Sequence, residues 1–382
     1  MFPYLVCFTC SCMLLYGIRN TEKTSGKFIV ISIIALALPC FLAGVRAPEI
    51  GTDVKGYIYP LFQAAQRADS IADYYQSSWW ASYRRTYVSD YEIGFSFLFF
   101  VLQRCFNSVP VILFAIQCII IIPIYLALVK YVKKEYAWFG MLIYYFMFYN
   151  VGLNTMRQWI AMALLFYAFH FLEEKKYVNY FCGVLVSFLF HKSALIGFVF
   201  AALEIFVSSK LMRNSLRVRG VVFSSAKLRA FAIFCAMSFV LFANEIIVVI
   251  LNIIGLGGYS HYFAGDTRVM LSQIIVRLPL IVFLWMNRKV ACTQKPGVKL
   301  ATVLIICDVV FANLSSVNEY AWRTGAWFMS YYIYLCPLVM ADAKKKYRKL
   351  YCLFFVMYMV AYWLFYFVYK GTHATVPYVS IF

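Results

Sequence analysis

Apolar runs of about 15 to 22 residues recur from one end of this 382-residue chain to the other, and runs of that length cross a bilayer as helices. A helix satisfies its own backbone polar groups, which is what hydrocarbon demands of any segment that spans it. With 64% hydrophobic and 13% charged residues the chain falls outside the soluble globular class. The runs lie near 2–18, 28–43, 109–129, 136–153, 156–172, 177–191, 193–208, 230–252, 271–287, 300–317, 323–340 and 350–369. The expected fold is therefore an all-α polytopic membrane protein, with residues 1–382 as a single transmembrane domain of about twelve helices. The first run lacks a basic leader and reads as a first span rather than a cleaved signal.

The basic residues fix the sidedness. Most of the 35 lysines and arginines sit in six short connections: Arg19 to Lys27, Lys130 to Lys134, Lys175–Lys176, Lys210 to Arg229, Arg288 to Lys299, and Lys344 to Lys349. The positive-inside rule places all six in the cytoplasm, and explains the net charge of +19 without nucleic acid as a partner. The assignment requires that the thirteen-residue run 91–103 not cross. It is expected to be an interfacial or re-entrant helix at the outer face, within a large extracytoplasmic loop over 44–108. It also requires two short helices meeting at His191-Lys192-Ser193 in place of one long one. Residues 209–229 form a basic cytoplasmic loop held against anionic membrane lipids. The twelve cysteines are scattered through apolar runs and read as small buried hydrophobes.

Within this frame one cation stands out. Arg157 opens an apolar helix, and no acidic residue occurs between Glu135 and Glu173. A guanidinium near membrane depth marks an anion or polar-ligand site. Arg157 lies 17 residues before Glu174 and His191 lies 17 after it, so a helical hairpin brings both to similar depth. Arg46, Lys192, Arg277 and Arg323 fall on the same outer side. Several cations with one imidazole there suit a phosphate or pyrophosphate near the membrane surface. His191 is a natural proton acceptor. Asp53, Glu92, Asp266 and Glu319 are carboxylates for orienting sugar hydroxyls or partnering the cations. No metal-binding, nucleotide-binding or nucleophile motif occurs, so no cofactor or metal is expected.

Blander roles stand beside these. Arg46, Arg157 and Arg323 can snorkel to headgroups, and Lys192 can simply solvate a turn. His170 reads as a satisfied core histidine, and His261 and His373 as loop residues. Trp79-Trp80 fits an interfacial aromatic belt as well as a sugar-stacking surface. Glu245 and Asp308, inside spans, can be functional or can only pair with buried cations.

The arrangement Arg46, Gly51-Thr52-Asp53 and Tyr57, then Tyr91-Glu92-Ile-Gly94-Phe, Met156-Arg157-Gln158-Trp-Ile-Ala161, and Phe190-His191-Lys192-Ser193-Ala194, resembles the EpsG-type branch of the polysaccharide polymerases, which includes Wzy-like O-antigen polymerases. Arg323 ahead of an aromatic-rich helix fits as well, and the likeness covers roughly 40 to 340. The resemblance implies a GT-C-like, metal-independent membrane glycosyltransferase of the bacterial inner membrane. It would join undecaprenyl-pyrophosphate-linked oligosaccharide repeat units into O-antigen or a related surface polysaccharide, with a chain-length regulator as a possible partner. His191, Arg157 and Arg323 would be catalytic. Arg46, Asp53, Tyr57, Glu92, Gln158, Lys192 and Arg277 would bind substrate. A flippase for the same lipid-linked sugars, a ligase and an acyltransferase are the competing readings.

Overall fold

The computed structural model of the protein describes residues 1–81, 84–208, 216–218, 221–223, 271–288, 296–314 and 319–382. The expected span 230–252, the outer loop around Asp266 and Arg268, Glu245, His261 and most of the basic loop 209–229 lie outside them. The described residues are almost entirely helical and form two compact units, Met1–Gly197 with Met340–Phe382, and Phe198–Val339. Three helices among them are long and apolar enough to cross a membrane: Gly26–Gly44, Val109–Tyr131 and Lys345–Tyr369.

In the first unit α1 (Phe2–Gly17) turns back into α2 (Gly26–Gly44). The latter reaches the 44–108 region, which carries α3 (Tyr59–Arg67), α4 (Ile71–Gln76), a hairpin of β1 (Ser78–Ala81) and β2 (Arg84–Tyr87), and α5 (Ile93–Phe106). Next come α6 (Val109–Tyr131), α7 (Ala137–Ile143), α8 (Tyr149–Gly152), α9 (Met156–Glu173) and α10 (Tyr177–Phe188). α2 packs on α6, α6 on α9, and α9 on α10.

One wide turn, Tyr144–Phe148, joins α7 to α8 without interrupting the helix. Every residue from Leu142 to Asn150 is buried, as expected of a helix apolar on all sides. Buried tyrosines need a partner for the hydroxyl, and three here find one on neighbouring helices. The Gln117 side-chain amide donates to Tyr144 (3.1 Å), Tyr145 meets Ser11 (3.0 Å), and Tyr149 donates to the Pro39 carbonyl (2.6 Å). Between helices in a bilayer, close packing and these hydrogen bonds hold the rings in place.

The two ends of this unit differ in charge. At one end the Lys23 ammonium donates to the Val129 carbonyl (2.6 Å) and Lys134 to Thr21 (2.8 Å), while Lys133 pairs with Asp342 (2.5 Å). His170 stacks on Tyr131 at 3.6 Å there and bonds the Tyr167 carbonyl through Nδ1 (2.6 Å), a satisfied core histidine. The turns holding Arg19 to Lys27, Lys130 to Lys134, Lys175–Lys176 and Lys344 to Lys349 therefore gather at one end.

The opposite end gathers the close of α2, the starts of α6 and α9, and the close of α10. Gly44 abuts α6 so closely that a Cβ would lie 2.8 Å from the Pro110 carbonyl oxygen. α5 starts at this end, where the Gly94 N–H donates to Leu189 (2.8 Å), and finishes next to the start of α6, with Arg104 donating to the Ala68 carbonyl. Its two ends are thus on the same side of the unit.

The second unit contains most of α11 (Ile196–Ser208), then a short hairpin of β3 (Leu216–Val218) and β4 (Val221–Phe223). It continues through α12 (Leu271–Met286), α13 (Pro296–Leu314), α14 (Glu319–Met329) and the start of α15 (Tyr332–Asp342). The apolar run 323–340 is thus two helices, broken at Ser330–Tyr331. In the first unit the run near 350–369 is α16 (Lys345–Trp363), extended by a wide turn to Tyr369.

Candidate functional site

Arg157 has an acidic partner after all, 65 residues away in sequence. Its Nη1 pairs with Glu92 Oε2, and the other carboxylate oxygen of Glu92 accepts the Lys192 backbone N–H at 3.4 Å. Arg157 is the second residue of α9, where the helix already carries partial positive charge, so an adjacent carboxylate stabilises both. The Arg157 side chain keeps 26% of its surface exposed and Glu92 only 9%, which leaves the guanidinium the accessible half of the pair. The hairpin of α9 and α10 does bring the 191–192 turn to the head of α9, and Glu92 bridges the two.

In the segment Tyr91-Glu92-Ile-Gly94-Phe95, Tyr91, Gly94 and Phe95 each make a further contact. The Tyr91 ring lies 4.9 Å from the Arg157 guanidinium carbon and the Tyr57 ring 5.3 Å, within cation–π range. A Cβ on Gly94 would lie 2.7 Å from Leu189, so only glycine lets α5 seat against the end of α10. Phe95 packs edge-on against Tyr57 at 5.9 Å. Trp79, on β1, stacks on Tyr91 at 5.9 Å and 18°, whereas Trp80 is 75% exposed.

Asp53 lies beside this cluster. Its Oδ2 accepts the Tyr57 hydroxyl at 2.6 Å. Burial pushes the carboxyl up to about 6, against the opposing pull of that hydroxyl, the Arg157 charge and the Met156 backbone N–H. The same burial, with the Asp53 charge, raises Tyr57 and keeps it a hydroxyl donor.

The loop holding Asp53 is locked from two sides. Gly51 adopts φ +82°, and the Thr52 N–H donates to Asn154 Oδ1 at 2.6 Å. Asn154 Nδ2 in turn donates to the His373 carbonyl (2.7 Å), and the Gly51 N–H to that of Ala374 (3.0 Å). Gly51→Ala is expected to cost about 1–2 kcal/mol for its left-handed backbone. Its Cβ would also lie 2.4 Å from Asn154 Oδ1, so Asp53 shifts as well. A lower thermal midpoint together with reduced activity checks this.

Arg46 lies deeper, 2% exposed beneath the C-terminal residues. Its Nη2 reaches the Leu153 carbonyl (3.4 Å) and Met156 Sδ (3.5 Å), and among the described residues Nε has no partner. Backbone bonds from Ala47 to Val379 (2.9 Å) and from Ile381 to Val45 (3.0 Å) close over it. Burial lowers its pKa.

His191 caps the short turn Lys192–Leu195. The Ser193 N–H donates to Nδ1 (3.2 Å) and the Ser193 hydroxyl lies 2.6 Å from the same nitrogen. A ring nitrogen that accepts an N–H holds its lone pair there, so the neutral imidazole carries its proton on Nε2. Gln158 is buried next to Arg157 on α9.

Arg277 and Arg323 belong to the second unit. Arg277 binds Asp308 through two bonds, Nε to Oδ2 (2.6 Å) and Nη2 to Oδ1 (3.0 Å), and Gln273 Oε1 through Nη1 (2.8 Å). Arg277 is 6% exposed and Asp308 fully buried, a geometry that suits a structural ion pair more than a substrate contact. The Arg323 guanidinium lies over the Trp322 ring at 5.6 Å.

Three contributors escape a linear reading: Tyr91 as a cation–π partner, Asn154 as the lock, and the C-terminal segment 373–381. The available signals were the place of Asn154 two residues before the Met156-Arg157 motif and that of Tyr91 in the motif with Glu92. Among the described residues no three His, Cys, Asp or Glu side chains gather as a metal site requires.

Searches of characterised proteins and of solved structures each returned no match. The sequence model of the EpsG family, by contrast, matches residues 28–380 and so covers every residue of the cluster. On that match, the chain belongs to the EpsG family.

Proposed function

We propose that the protein is a membrane polysaccharide polymerase that joins undecaprenyl-pyrophosphate-linked oligosaccharide repeat units at the extracytoplasmic face. The observation that carries this reading is the Arg157–Glu92–Lys192 cluster, flanked by Asp53 and three aromatic rings, at the end of the unit opposite its basic turns. With those turns cytoplasmic by the positive-inside rule, the cluster meets the outer leaflet. The 44–108 region then lies outside, with α5 along the surface, in a GT-C-like arrangement of about twelve spans.

The chemistry follows from the geometry. The exposed edge of Arg157 binds the diphosphate and stabilises the charge that develops as it leaves. Arg46, in the same unit, supplies further positive charge. A hydroxyl at the non-reducing end of one lipid-linked unit attacks the anomeric carbon of the growing chain. The new C–O bond forms as the anomeric carbon–diphosphate bond breaks, and undecaprenyl pyrophosphate departs with the electron pair. Of the two roles open to His191, orienting the acceptor or the diphosphate through Nε2–H suits its Nδ1 bonding. Asp53 is then the group ready to take the proton. Tyr57, Glu92, Gln158 and Lys192 shape the sugar and phosphate subsites, and Arg277 braces the second unit. The most buried ion pair among the described residues, Arg277–Asp308, is satisfied internally, which favours a transferase over a transport path.

The test is Asp53→Asn and His191→Ala, each assayed across pH. Loss of a general base lowers turnover by about 10²–10⁴-fold. Because the base works ionised, wild-type activity is expected to rise as pH increases through about 6, and Asp53→Asn to lose that limb. His191→Ala is expected to keep it at reduced turnover. A limb that survives Asp53→Asn and vanishes with His191→Ala would move the base to His191.

A further inference from the structure

A deep groove lies at the other end of the first unit, far along the helices from the Arg157 cluster. It encloses about 880 Å³ between α1, α7 and α16. Its walls are apolar, with Met13, Leu142, Phe146, Val356 and Val360 among them. Its mouth carries Arg19, Arg348 and Lys349, opposed by the single carboxylate of Glu135.

The dimensions and charge identify the kind of occupant. From Val360 to Lys349 along α16, the groove runs about 15 Å at 1.5 Å per residue, and on its other wall it follows α1 from Thr9 to the turn that holds Arg19. That is about half of a 30 Å hydrocarbon core, one leaflet deep. The Arg19 guanidinium is held in place by stacking on Tyr16 (3.7 Å) and by donating Nη1 to the Tyr16 carbonyl (2.8 Å). Arg348 spends Nε and Nη2 on the carbonyls of Ala343 (2.8 Å) and Ala341 (2.7 Å), which fixes the turn before α16. Among the described residues neither Arg19 nor Lys349 has an acidic partner, so both are available to a ligand anion.

We infer that this groove is a binding site for one anionic glycerophospholipid of the leaflet at the basic end, with an acyl chain along Met13, Phe146 and Val356 and the phosphate between Arg19 and Lys349. The site is independent of the polymerase reading and shares no residue with it. A bound lipid would wedge α1 against α16, two helices that also carry the aromatic core under the Arg157 end.

The purified, delipidated full chain in detergent tests this by native mass spectrometry with dioleoylphosphatidylglycerol against dioleoylphosphatidylcholine. Each cation near a headgroup adds enough attraction that the anionic lipid is expected to bind about tenfold more tightly. Arg19→Gln with Lys349→Gln is expected to abolish that preference. Val356→Trp, which fills the groove and leaves the charges, is expected to weaken both lipids. Because these two variants alter different parts of the site, misfolding of one leaves the other decisive. Equal binding of the two lipids by wild type, or unchanged binding in a folded variant, would overturn the inference. So would an isoprenyl phosphate that displaces phosphatidylglycerol at lower concentration, since the occupant would then be the carrier lipid.

Discussion

Arg157→Ala abolishes long-chain polymer on this account, and it does so for a reason that can be separated from misfolding. Removing the guanidinium takes away the exposed cation that meets the diphosphate. Losing one such stabilising group costs about 10²–10³-fold in turnover. It also strands Glu92, which is 9% exposed and would keep only the Lys192 N–H. Part of the effect is therefore expected to be structural. Two further variants separate these effects. Arg157→Ala with Glu92→Gln removes the stranded charge, and so recovers thermal stability without recovering polymer. The charge swap Arg157→Glu with Glu92→Arg restores an ion pair and moves the cation to the residue that caps α5, and is likewise expected to be inactive. Ladder gels for chain length and thermal unfolding in detergent read the two effects independently. Polymer of normal length from stable, well-expressed Arg157→Ala would remove Arg157 from the mechanism.

The second large effect is on stability. Arg277→Met leaves Asp308 fully buried without its bidentate partner, and breaking a buried pair from one side costs about 3–5 kcal/mol. The double variant Arg277→Met with Asp308→Leu removes both charges and is expected to recover most of that loss, because desolvation of the pair offsets much of its attraction. A substrate-binding Arg277 predicts something else: activity lost in the double variant even where stability returns. The structure favours restored activity, since Nε, Nη1 and Nη2 are all engaged within the second unit.

Length and hydropathy were enough to locate α2, α6 and α16, because a long apolar run has few alternatives to a helix. The hairpin of α9 and α10 was legible from the spacing of Arg157 and His191 about Glu174. What spacing could not give was the face each helix presents. Arg157 looked uncompensated because its partner, Glu92, reaches it from α5 across 65 residues. Arg277 likewise showed no partner in its own helix, because α13 brings Asp308 to it from 31 residues away. α9 buries residues around most of its circumference, and α13 is apolar on its less buried side as well, so their sequences carry almost no amphipathic signal of which side meets what. The break at Ser330–Tyr331 in the run 323–340 carries no proline or glycine at the interruption itself, so nothing local announced it. The C-terminal segment was equally hidden: its hold on Asn154 and Gly51 runs through its own backbone carbonyls, which any sequence would supply.

The central claim is that this end of the first unit joins lipid-linked sugars. The most direct measurement places the purified protein in liposomes with a lipid-linked repeat unit and follows chain length and released undecaprenyl pyrophosphate together. The account predicts a ladder of products with one diphosphate released for each linkage formed, and neither signal from Arg157→Ala. Movement of intact repeat units across the bilayer with no linkage formed would contradict it.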